Sequence, residues 1–171
     1  MRKLLERDPR LWFSVSATTR PAREGEVGGK DYLFFDRDEF ERIRAAGGFL
    51  EWFEVYGDLY GTPRGPVDEH LAMHDDVLLE VDVQGALAVR ETHPDALLVF
   101  VKAPSRDEQR RRLLERGQDD PAAIERRLAL AEAEEAAADR FDAVVVNDDA
   151  DRAAQEVAAI LRGHREARPP P

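Results

Sequence analysis

The stretch Val77-Leu78-Leu79-Glu80-Val81-Asp82 is an almost continuous apolar run that ends in acidic residues. Such a run is typical of a strand that is covered on both faces, as the strands of parallel sheets are. Similar runs follow at 97–101 and 144–146, and stretches with helical patterns alternate with them, at about 84–92, 105–115, 121–138 and 150–162. This alternation predicts an α/β fold in which helices flank a parallel sheet.

An aromatic stretch from 32 to 62 interrupts this alternation upstream. Residues 49–56 alternate in polarity, and residues 60–62 return after a turn at Gly57-Asp58, which predicts a β-hairpin. The segment 18–30 is rich in glycine, proline and charge, and is predicted to be a loop. We therefore expect a small β-rich subdomain over one end of the parallel sheet.

The composition of the 171 residues excludes several classes of function. Without cysteine, the chain cannot form disulfides, iron–sulfur clusters, thiolate-ligated zinc sites or a cysteine nucleophile. A net charge of −11 argues against general binding to nucleic acid or to an anionic membrane. No apolar run approaches the ~20 residues of a membrane span, and the charged start does not fit a signal peptide, so a cytoplasmic location is expected.

Two pairs of charged residues follow predicted strands. Arg20 and Arg23 lie in a loop with several hydroxyl side chains, and their guanidinium groups can converge on one phosphate. Two solvated arginines on an exposed loop are the alternative, which spacing alone favours.

Glu80 and Asp82 lie at the carboxyl end of an apolar strand, where they share one face and where open α/β sheets bind ligands. Structural ion pairs with arginines explain these two carboxylates equally well.

Several arginines cluster around the turn at 117–120, namely Arg110, Arg111, Arg112, Arg116, Arg126 and Arg127. This helix–turn–helix could act as a mobile flap over a polyanionic substrate, whereas the charge pattern alone favours a solvated helical face.

His70 and His74 lie four residues apart in a predicted helix, but surface histidines explain them better than a metal pair does. Trp12 and Trp52 are expected in the core.

The chain also carries a series of short motifs in a fixed order: Phe13-Ser14-Val15-Ser16-Ala17-Thr18-Thr19-Arg20-Pro21, Arg23, Gly25-Glu26, Gly29-Lys30-Asp31-Tyr32, Phe49-Leu50-Glu51-Trp52, Tyr60-Gly61-Thr62, Glu80-Val81-Asp82-Val83-Gln84-Gly85, Arg116-Gly117 and Val146-Asn147-Asp148-Asp149. Together these motifs, spread over residues 2–162, resemble those of guanylate kinases, the P-loop nucleoside monophosphate kinases that transfer a phosphoryl group from ATP to GMP. The resemblance implies a P-loop kinase-type parallel sheet flanked by helices, with a small β-rich GMP-binding subdomain and a helical lid.

The resemblance implies a GMP site made of Ser16, Arg20, Arg23, Tyr32, Glu51, Tyr60, Thr62, Glu80 and Asp82. Within it, the two arginines and the two tyrosine hydroxyls would hold the GMP phosphate. Glu51 would accept hydrogen bonds from guanine N1–H and the exocyclic amine, a donor pair that adenine lacks. Ser16 and Thr62 would supply hydroxyls to the base. Asp82 would lie at the guanine and metal side, with Glu80, an aspartate in most of the family, behind it.

For the ATP side, the resemblance implies three lid arginines that close on the ATP phosphates, namely Arg112, Arg116 and Arg127. Asn147 would lie beside the adenine ring. The implied catalytic residues are the three lid arginines together with Arg20 and Asp82. ATP is the implied co-substrate and Mg²⁺ the implied ion, for which the sequence holds no complete ligand set. The implied partners are thus GMP and ATP, with no nucleic acid and no membrane.

The resemblance also implies boundaries and one departure. A single domain is expected over 1–165, with a GMP-binding subdomain at about 31–64, a lid at about 105–128 and a disordered tail at 166–171. The family's first strand and its Gly-rich phosphate loop, which ends in Gly-Lys-Ser/Thr, have no counterpart in these 171 residues. We expect a start assigned too late or a deliberate truncation, and a chain that is inactive or impaired as given.

Two other functions stay open at the level of sequence. The first is a catalytically dead guanylate kinase-like module that binds GMP or a phosphorylated peptide. Glu51 disfavours the peptide, because a phosphopeptide has no guanine edge to read. The second is a protein that senses or stores GMP, which would bind GMP tightly and without any dependence on ATP.

Overall fold

The computed structural model describes residues 1–116 and 121–167 of the chain. It divides into two compact units, the first Asp8–Ala96 and the second made of Met1–Arg7 with the chain from Leu97 onward. The chain begins with α1 (Arg2–Arg7), which belongs to the second unit. Within the described ranges, no helix is both long enough and apolar enough to cross a membrane.

The first unit contains two sheets and three helices. Its strands are β1 (Leu11–Phe13), β2 (Ala17–Thr18), β3 (Leu33–Phe34), β4 (Phe49–Val55), β5 (Asp58–Pro63) and β6 (Asp76–Leu78). Its helices are α2 (Arg37–Ala45), α3 (Arg64–Ala72) and α4 (Val83–Thr92). Strands β1 and β6 form a parallel pair, and the other four form a sheet in the order β3-β2-β5-β4. In that sheet, β2 and β3 are parallel and the remaining pairs are antiparallel.

Apolar side chains from α2 and the four-stranded sheet form one hydrophobic cluster. Asp36 caps the first turn of α2 by accepting a backbone hydrogen bond at 2.7 Å. Phe40 on α2 is fully buried and stacks on Phe49, with 4.3 Å between the ring centroids. Ala17 and Leu59 complete the cluster. This packing fixes α2 against β2, β4 and β5.

A β-bulge between Phe49 and Glu51 buries three consecutive side chains at the start of β4. Phe49 faces the cluster under α2, whereas Leu50 joins a second cluster with Val67 of α3 and Val89 of α4. Glu51 follows immediately and is buried as well. The two hydrophobic clusters therefore anchor the backbone that carries the Glu51 carboxylate.

A strand that the sequence pattern did not indicate, β2, overlaps the first residue of the region predicted as a loop, 18–30. Ala17 and Thr18 are fully buried in β2, which pairs with β3 and with β5. A strand of two residues is too short to show a polarity period, so only its pairing partners reveal it. This pairing places Thr18 opposite Tyr60, at the start of the segment that leads to Arg20.

The hairpin between β4 and β5 is confirmed, but its turn lies one residue earlier than predicted. Val55 pairs with Asp58, so Tyr56 and Gly57 are the two turn residues. Both have positive φ, 54° for Tyr56 and 89° for Gly57, as in the type I′ turns that suit tight hairpins. Glycine adopts this backbone freely, whereas tyrosine is strained in it.

Replacing Tyr56 with asparagine is expected to raise the free energy of unfolding by about 0.5–1 kcal/mol, because asparagine tolerates the left-handed backbone better. For a chain of this length, that gain raises Tm by about 2–3 °C, which thermal unfolding measures. Tyr56→Ala is the control, since it removes the exposed ring without easing the backbone. An equal gain for alanine would assign the effect to the ring.

In its described residues, the second unit contains a parallel strand pair and, besides α1, three α-helices and a short 3₁₀ helix, Ala138–Arg140. Its elements are β7 (Val99–Lys102), α5 (Arg106–Arg116), α6 (Pro121–Glu135), β8 (Ala143–Val146) and α7 (Ala150–Ala167). Phe100 of β7 contacts Phe141 edge-on at 5.2 Å, and Val145 of β8 is fully buried. Lys3 and Arg7 of α1 both form ion pairs with Asp151 of α7. These ion pairs connect the first helix to the last.

The parallel pairing predicted from the apolar runs is confirmed, and the structure divides it between two two-stranded sheets, β1–β6 and β7–β8. Strand β6 ends at Leu78, earlier than the apolar run suggested. Helix α7 extends to Ala167, beyond the predicted end near 162 and into the first residues of the predicted tail. The last four residues of that tail, 168–171, lie outside the described residues.

Candidate active site

All nine residues predicted to bind GMP belong to the first unit. Those predicted for the phosphate gather around Arg20. The terminal nitrogens of Arg20 donate to the two carboxylate oxygens of Glu26 at 3.0 and 2.8 Å, and one of them also donates to the Pro21 carbonyl at 2.6 Å. The Arg20 side chain is 11% exposed. Its guanidinium group is therefore held in one orientation by a paired, charge-assisted contact.

Two tyrosines surround the same guanidinium group. Tyr60 lies close enough to raise the pKa of Arg20, and Arg20 lies over the Tyr32 ring, 5.4 Å from its centroid. The two rings meet edge to face at 6.2 Å. Burial raises the pKa of Tyr32, and nearby Tyr60 and Glu80 raise it further. The Tyr32 hydroxyl therefore keeps its proton at neutral pH and remains a hydrogen-bond donor.

Glu26 is the functional residue to which sequence reasoning assigned no role. Besides its contact with Arg20, it accepts a hydrogen bond of 2.7 Å from the Arg23 backbone N–H. Arg20 first, and then Arg23, lower the pKa of Glu26, so its charge is retained. The available signal was its position in the same loop, three residues after Arg23. Its carboxylate orients one predicted phosphate ligand and orders the backbone of the other.

Glu51 and Thr62 form the predicted base-reading pair. They lie opposite each other on β4 and β5, and Thr62 Oγ1 donates to Glu51 Oε1 at 2.6 Å. Glu51 is 8% exposed and Thr62 is 1% exposed. Burial raises the pKa of Glu51, the Thr62 hydrogen bond lowers it, and the charge of Asp82 raises it. The result is a desolvated carboxylate whose charged form gains from any further N–H donor.

Glu80 and Asp82 do not share one face of a strand, and that prediction is wrong. Strand β6 ends at Leu78, so both residues lie in the connection to α4, where strand alternation does not apply. Asp82 is the N-cap of α4, and its Oδ1 accepts a hydrogen bond of 2.7 Å from Gly85 N. Asp82 is half-buried and close enough to influence the pKa of Glu51, whereas Glu80 is exposed near Tyr32.

Ser16 precedes β2, and its backbone carbonyl accepts a hydrogen bond from Leu33 N at 2.9 Å. It is half-buried and directly precedes the strand that pairs with Tyr60 and Gly61. Strand β2 and the pairing of β4 with β5 thus bring Ser16 next to the sheet that holds Glu51 and Thr62. The sheet register, which the sequence could not supply, assembles the predicted base-reading residues.

The residues predicted to bind ATP belong to the second unit. Arg112 Nε donates to Glu108 Oε1 at 2.7 Å within α5, and Arg111 and Arg112 together lower the pKa of Glu108 to about 2. Arg127 lies on α6, and Asn147 follows β8, where its N–H donates to the Lys102 carbonyl at 2.7 Å. The predicted turn at 117–120 lies outside the described residues, as does the side chain of Arg116.

Ion pairs along and between α5 and α6 match the solvated helical face that the charge pattern favoured. Arg110 pairs with Glu125 across the two helices, and Arg111 pairs with Glu115 along α5. All four side chains are exposed. Exposed pairs of this kind contribute little to stability and can exchange partners with a bound anion at small cost.

Of the two histidines predicted in one helix, His70 lies on α3, whereas His74 lies two residues beyond its end. His70 stacks on Trp12 with 3.9 Å between ring centroids, and its Nδ1 lies 2.7 Å from Asp75 Oδ2. His74 follows the helix with a φ of 62°. Among residues 1–116 and 121–167, no group of three or more His, Asp or Glu side chains could hold a metal ion.

Comparison with known proteins places this geometry in a family. The family model described as guanylate kinase matches residues 1–164. A guanylate kinase from Rubrobacter xylanophilus is 51% identical over 162 residues, covering 95% of this chain and 85% of the relative. One from a Synechococcus species is 49% identical, covering 95% and 87%. The crystal structure of guanylate kinase from Anaplasma phagocytophilum matches with a TM-score of 0.81 at 37% identity, covering 95% of this chain and 78% of that one. The chain therefore belongs to the guanylate kinase family.

Proposed function

We propose that the protein binds GMP in its first unit and is a nucleoside monophosphate kinase that transfers the γ-phosphoryl group of ATP to GMP. The observation that carries the proposal is the buried Glu51–Thr62 pair, which lies in the same unit as the cationic corner around Arg20. The buried pair can read the edge of a purine, and the corner around Arg20 can hold a phosphate.

The base is read by the charge and burial of Glu51. Guanine presents two neighbouring N–H donors, at N1 and at the exocyclic amine, which match the two lone-pair directions of a carboxylate. Adenine presents an acceptor at N1, which a buried carboxylate repels. Because Glu51 is only 8% exposed, water cannot substitute for the missing donors. A mismatched base leaves a buried charge unpaired, which costs about 1–3 kcal/mol or more.

The phosphate is held by donors that Glu26 keeps in place. Glu26 occupies the end-on fork of Arg20, so the Nε–H side of the guanidinium group is left to face an incoming phosphate. The Tyr32 and Tyr60 hydroxyls supply two further donors beside it. Arg23 lies in the same loop, and its backbone is ordered by Glu26. The acceptor nucleotide is then fixed at both ends, which orients its phosphate for attack.

For the donor side, we propose that ATP is the co-substrate and that Arg112, Arg116 and Arg127 offset the charge of its phosphates. Arg112 would exchange its contact with Glu108 for a phosphate oxygen. Magnesium is the ion such kinases use, and it is commonly held through substrate phosphates and water. The described residues offer no ligand cluster for it, and none of the steps proposed for this chain depends on it. We place the enzyme in the cytoplasm.

The proposal is tested by incubating the chain with ATP and Mg²⁺ and with GMP or AMP, and by separating the nucleotides. Any ADP and GDP are expected to form with GMP and not with AMP, and to form slowly, because the Gly-rich phosphate loop has no counterpart in these 171 residues. Calorimetric titration with GMP, AMP and a phosphoserine peptide accompanies the assay. GMP binding without product would favour a binding module, and peptide binding without preference for GMP would overturn the guanine-reading role of Glu51.

A pH dependence follows from the raised pKa of Glu51. Guanosine binding is expected to weaken as pH falls through that pKa, which lies above the ordinary value of 4.5, because the protonated acid accepts fewer hydrogen bonds. Far below the pKa, the loss approaches about tenfold per pH unit. Guanosine is the probe since it carries no phosphate of its own to titrate. The guanosine affinity of Glu51→Gln should not depend on pH in this range. An equal decline of affinity in that variant would contradict the assignment of the titration to Glu51.

A further inference from the structure

Gly85 is buried in the first turn of α4 and lies close to Glu51, the predicted base-reading carboxylate. A Cβ atom built on it would lie 3.1 Å from Glu51 Oε2, 3.2 Å from Asp82 Oδ1 and 3.1 Å from Val81 Cβ. These distances are shorter than ordinary van der Waals contacts. A methyl group at position 85 therefore fits only if a neighbouring group shifts by a few tenths of an ångström.

The backbone conformation at position 85 does not explain why the residue there is a glycine. Its φ does not lie in the left-handed region, in contrast to those of Gly25, Gly29, Gly47 and Gly57. Helix formation does not explain it either, because alanine is a better helix former than glycine at an interior position. By local rules alone, alanine would be preferred at position 85. The close approach of Glu51 and Asp82 is the feature that requires glycine.

We propose that Gly85 is a positioning residue that determines base specificity: its missing side chain leaves the space into which Glu51 Oε2 projects. The inference rests on the proposed function, since it assumes that Glu51 reads guanine. It adds a residue on a different element, α4, to the strands that carry Glu51 and Thr62. The distance between α4 and β4 then becomes part of the base-reading geometry.

The neighbours of Gly85 have little freedom to yield. Glu51 Oε1 is tied to Thr62 Oγ1 at 2.6 Å, and Asp82 Oδ1 is tied to Gly85 N at 2.7 Å. A methyl group at position 85 must displace one of these carboxylates by a few tenths of an ångström. Movement of Glu51 misaligns the acceptor for the exocyclic amine, and a methyl over Oε2 also blocks an approach to that oxygen. Small misplacements of a binding group cause large losses when the group is held rigidly.

The test compares Gly85→Ala with the unaltered chain by calorimetric titration with GMP and with inosine monophosphate. The inosine nucleotide retains N1–H but lacks the exocyclic amine, so the ratio of the two affinities reports the second hydrogen bond to Glu51. We expect Gly85→Ala to lose about tenfold or more in GMP affinity and less in inosine monophosphate affinity, so that the preference for guanine shrinks. Gly163→Ala in α7, where nothing lies within 4 Å of the added Cβ, is the matched control and should change neither affinity.

A second variant separates a steric effect from general damage. Glu51→Ala removes one of the three groups that the new methyl group meets, so Gly85→Ala should cost less thermal stability when it is added to Glu51→Ala than when it is made in the unaltered chain. If Gly85→Ala alone does not fold, recovery of folding in the double variant supports the proposal, and continued failure overturns it. An unchanged ratio of the two affinities in folded Gly85→Ala also overturns it. If the unaltered chain shows no preference for GMP, that result contradicts the proposed function itself. It is distinguishable from an unchanged affinity ratio in Gly85→Ala, which contradicts only the role of Gly85.

Discussion

Replacing Glu51 with glutamine is expected to lower the affinity for GMP by about 100-fold and to remove most of the preference for GMP over inosine monophosphate, since hydrogen bonds to a charged group contribute about 1.5–3 kcal/mol each. Glutamine keeps one acceptor oxygen, which Thr62 already uses in the native pair. Its amide nitrogen is a donor, and it would face a donor of the base. The substitution therefore converts an attractive contact into a repulsive one at nearly constant volume.

The same substitution is expected to stabilise the free protein at neutral pH. Burial raises the pKa of Glu51, so the folded chain binds this proton more readily than the unfolded chain does. Between the two pKa values, the free energy of unfolding consequently falls as pH rises, and above both values the cost of burying the charge is fully present. Glutamine carries no charge, so its Tm should be higher at pH 7 and nearer to the wild-type value at acid pH.

Calorimetric titration with the two nucleotides and thermal unfolding at several pH values measure both effects. Glu54→Gln is the matched control, because Glu54 lies on the same strand but is exposed and forms only a surface ion pair with Arg37 at 3.3 Å. It should alter neither GMP affinity nor Tm appreciably. Loss of GMP binding together with a lower Tm in Glu51→Gln would instead assign Glu51 a structural role.

Replacing Arg20 with lysine is expected to reduce GMP affinity by about 10- to 100-fold while leaving guanosine affinity within about twofold. Arg20 donates to both oxygens of Glu26, and its guanidinium group still has an edge left for phosphate. A lysine ammonium group carries the same charge but cannot hold Glu26 and a phosphate at once in a fixed fork. The loss should therefore concern the phosphate alone.

The measurement is a pair of titrations, with GMP and with guanosine, on each variant. Arg37→Lys is the control, since Arg37 forms an exposed ion pair away from the proposed phosphate position. Equal losses for GMP and guanosine would mean that Arg20 maintains the sheet rather than holding the phosphate. An unchanged GMP affinity would place the phosphate elsewhere.

The elements that the sequence predicted well are those whose signal is local. Strands β6, β7 and β8 follow from continuous apolar runs. Trp52 was expected in the core, but it is 39% exposed and packs under Arg44, 4.4 Å from its guanidinium carbon. The bulge before Glu51 aims Leu50 inward and, two residues on, Trp52 outward, and no composition rule reveals a bulge.

Residue types and motif order by themselves determined the family and the α/β class, and they predict which residues would meet GMP. They suffice because carboxylates, guanidinium groups and phenols keep their chemistry in any fold. Only the tertiary structure decided the orientation of Arg20 by Glu26, the end of β6 before Glu80, and the approach of Gly85 to Glu51. The first depends on how one loop folds back on itself, the second on where a short strand stops, and the third on a contact between segments far apart in the chain. Such contacts are set by sheet register and packing, and neither has a local signature in the sequence.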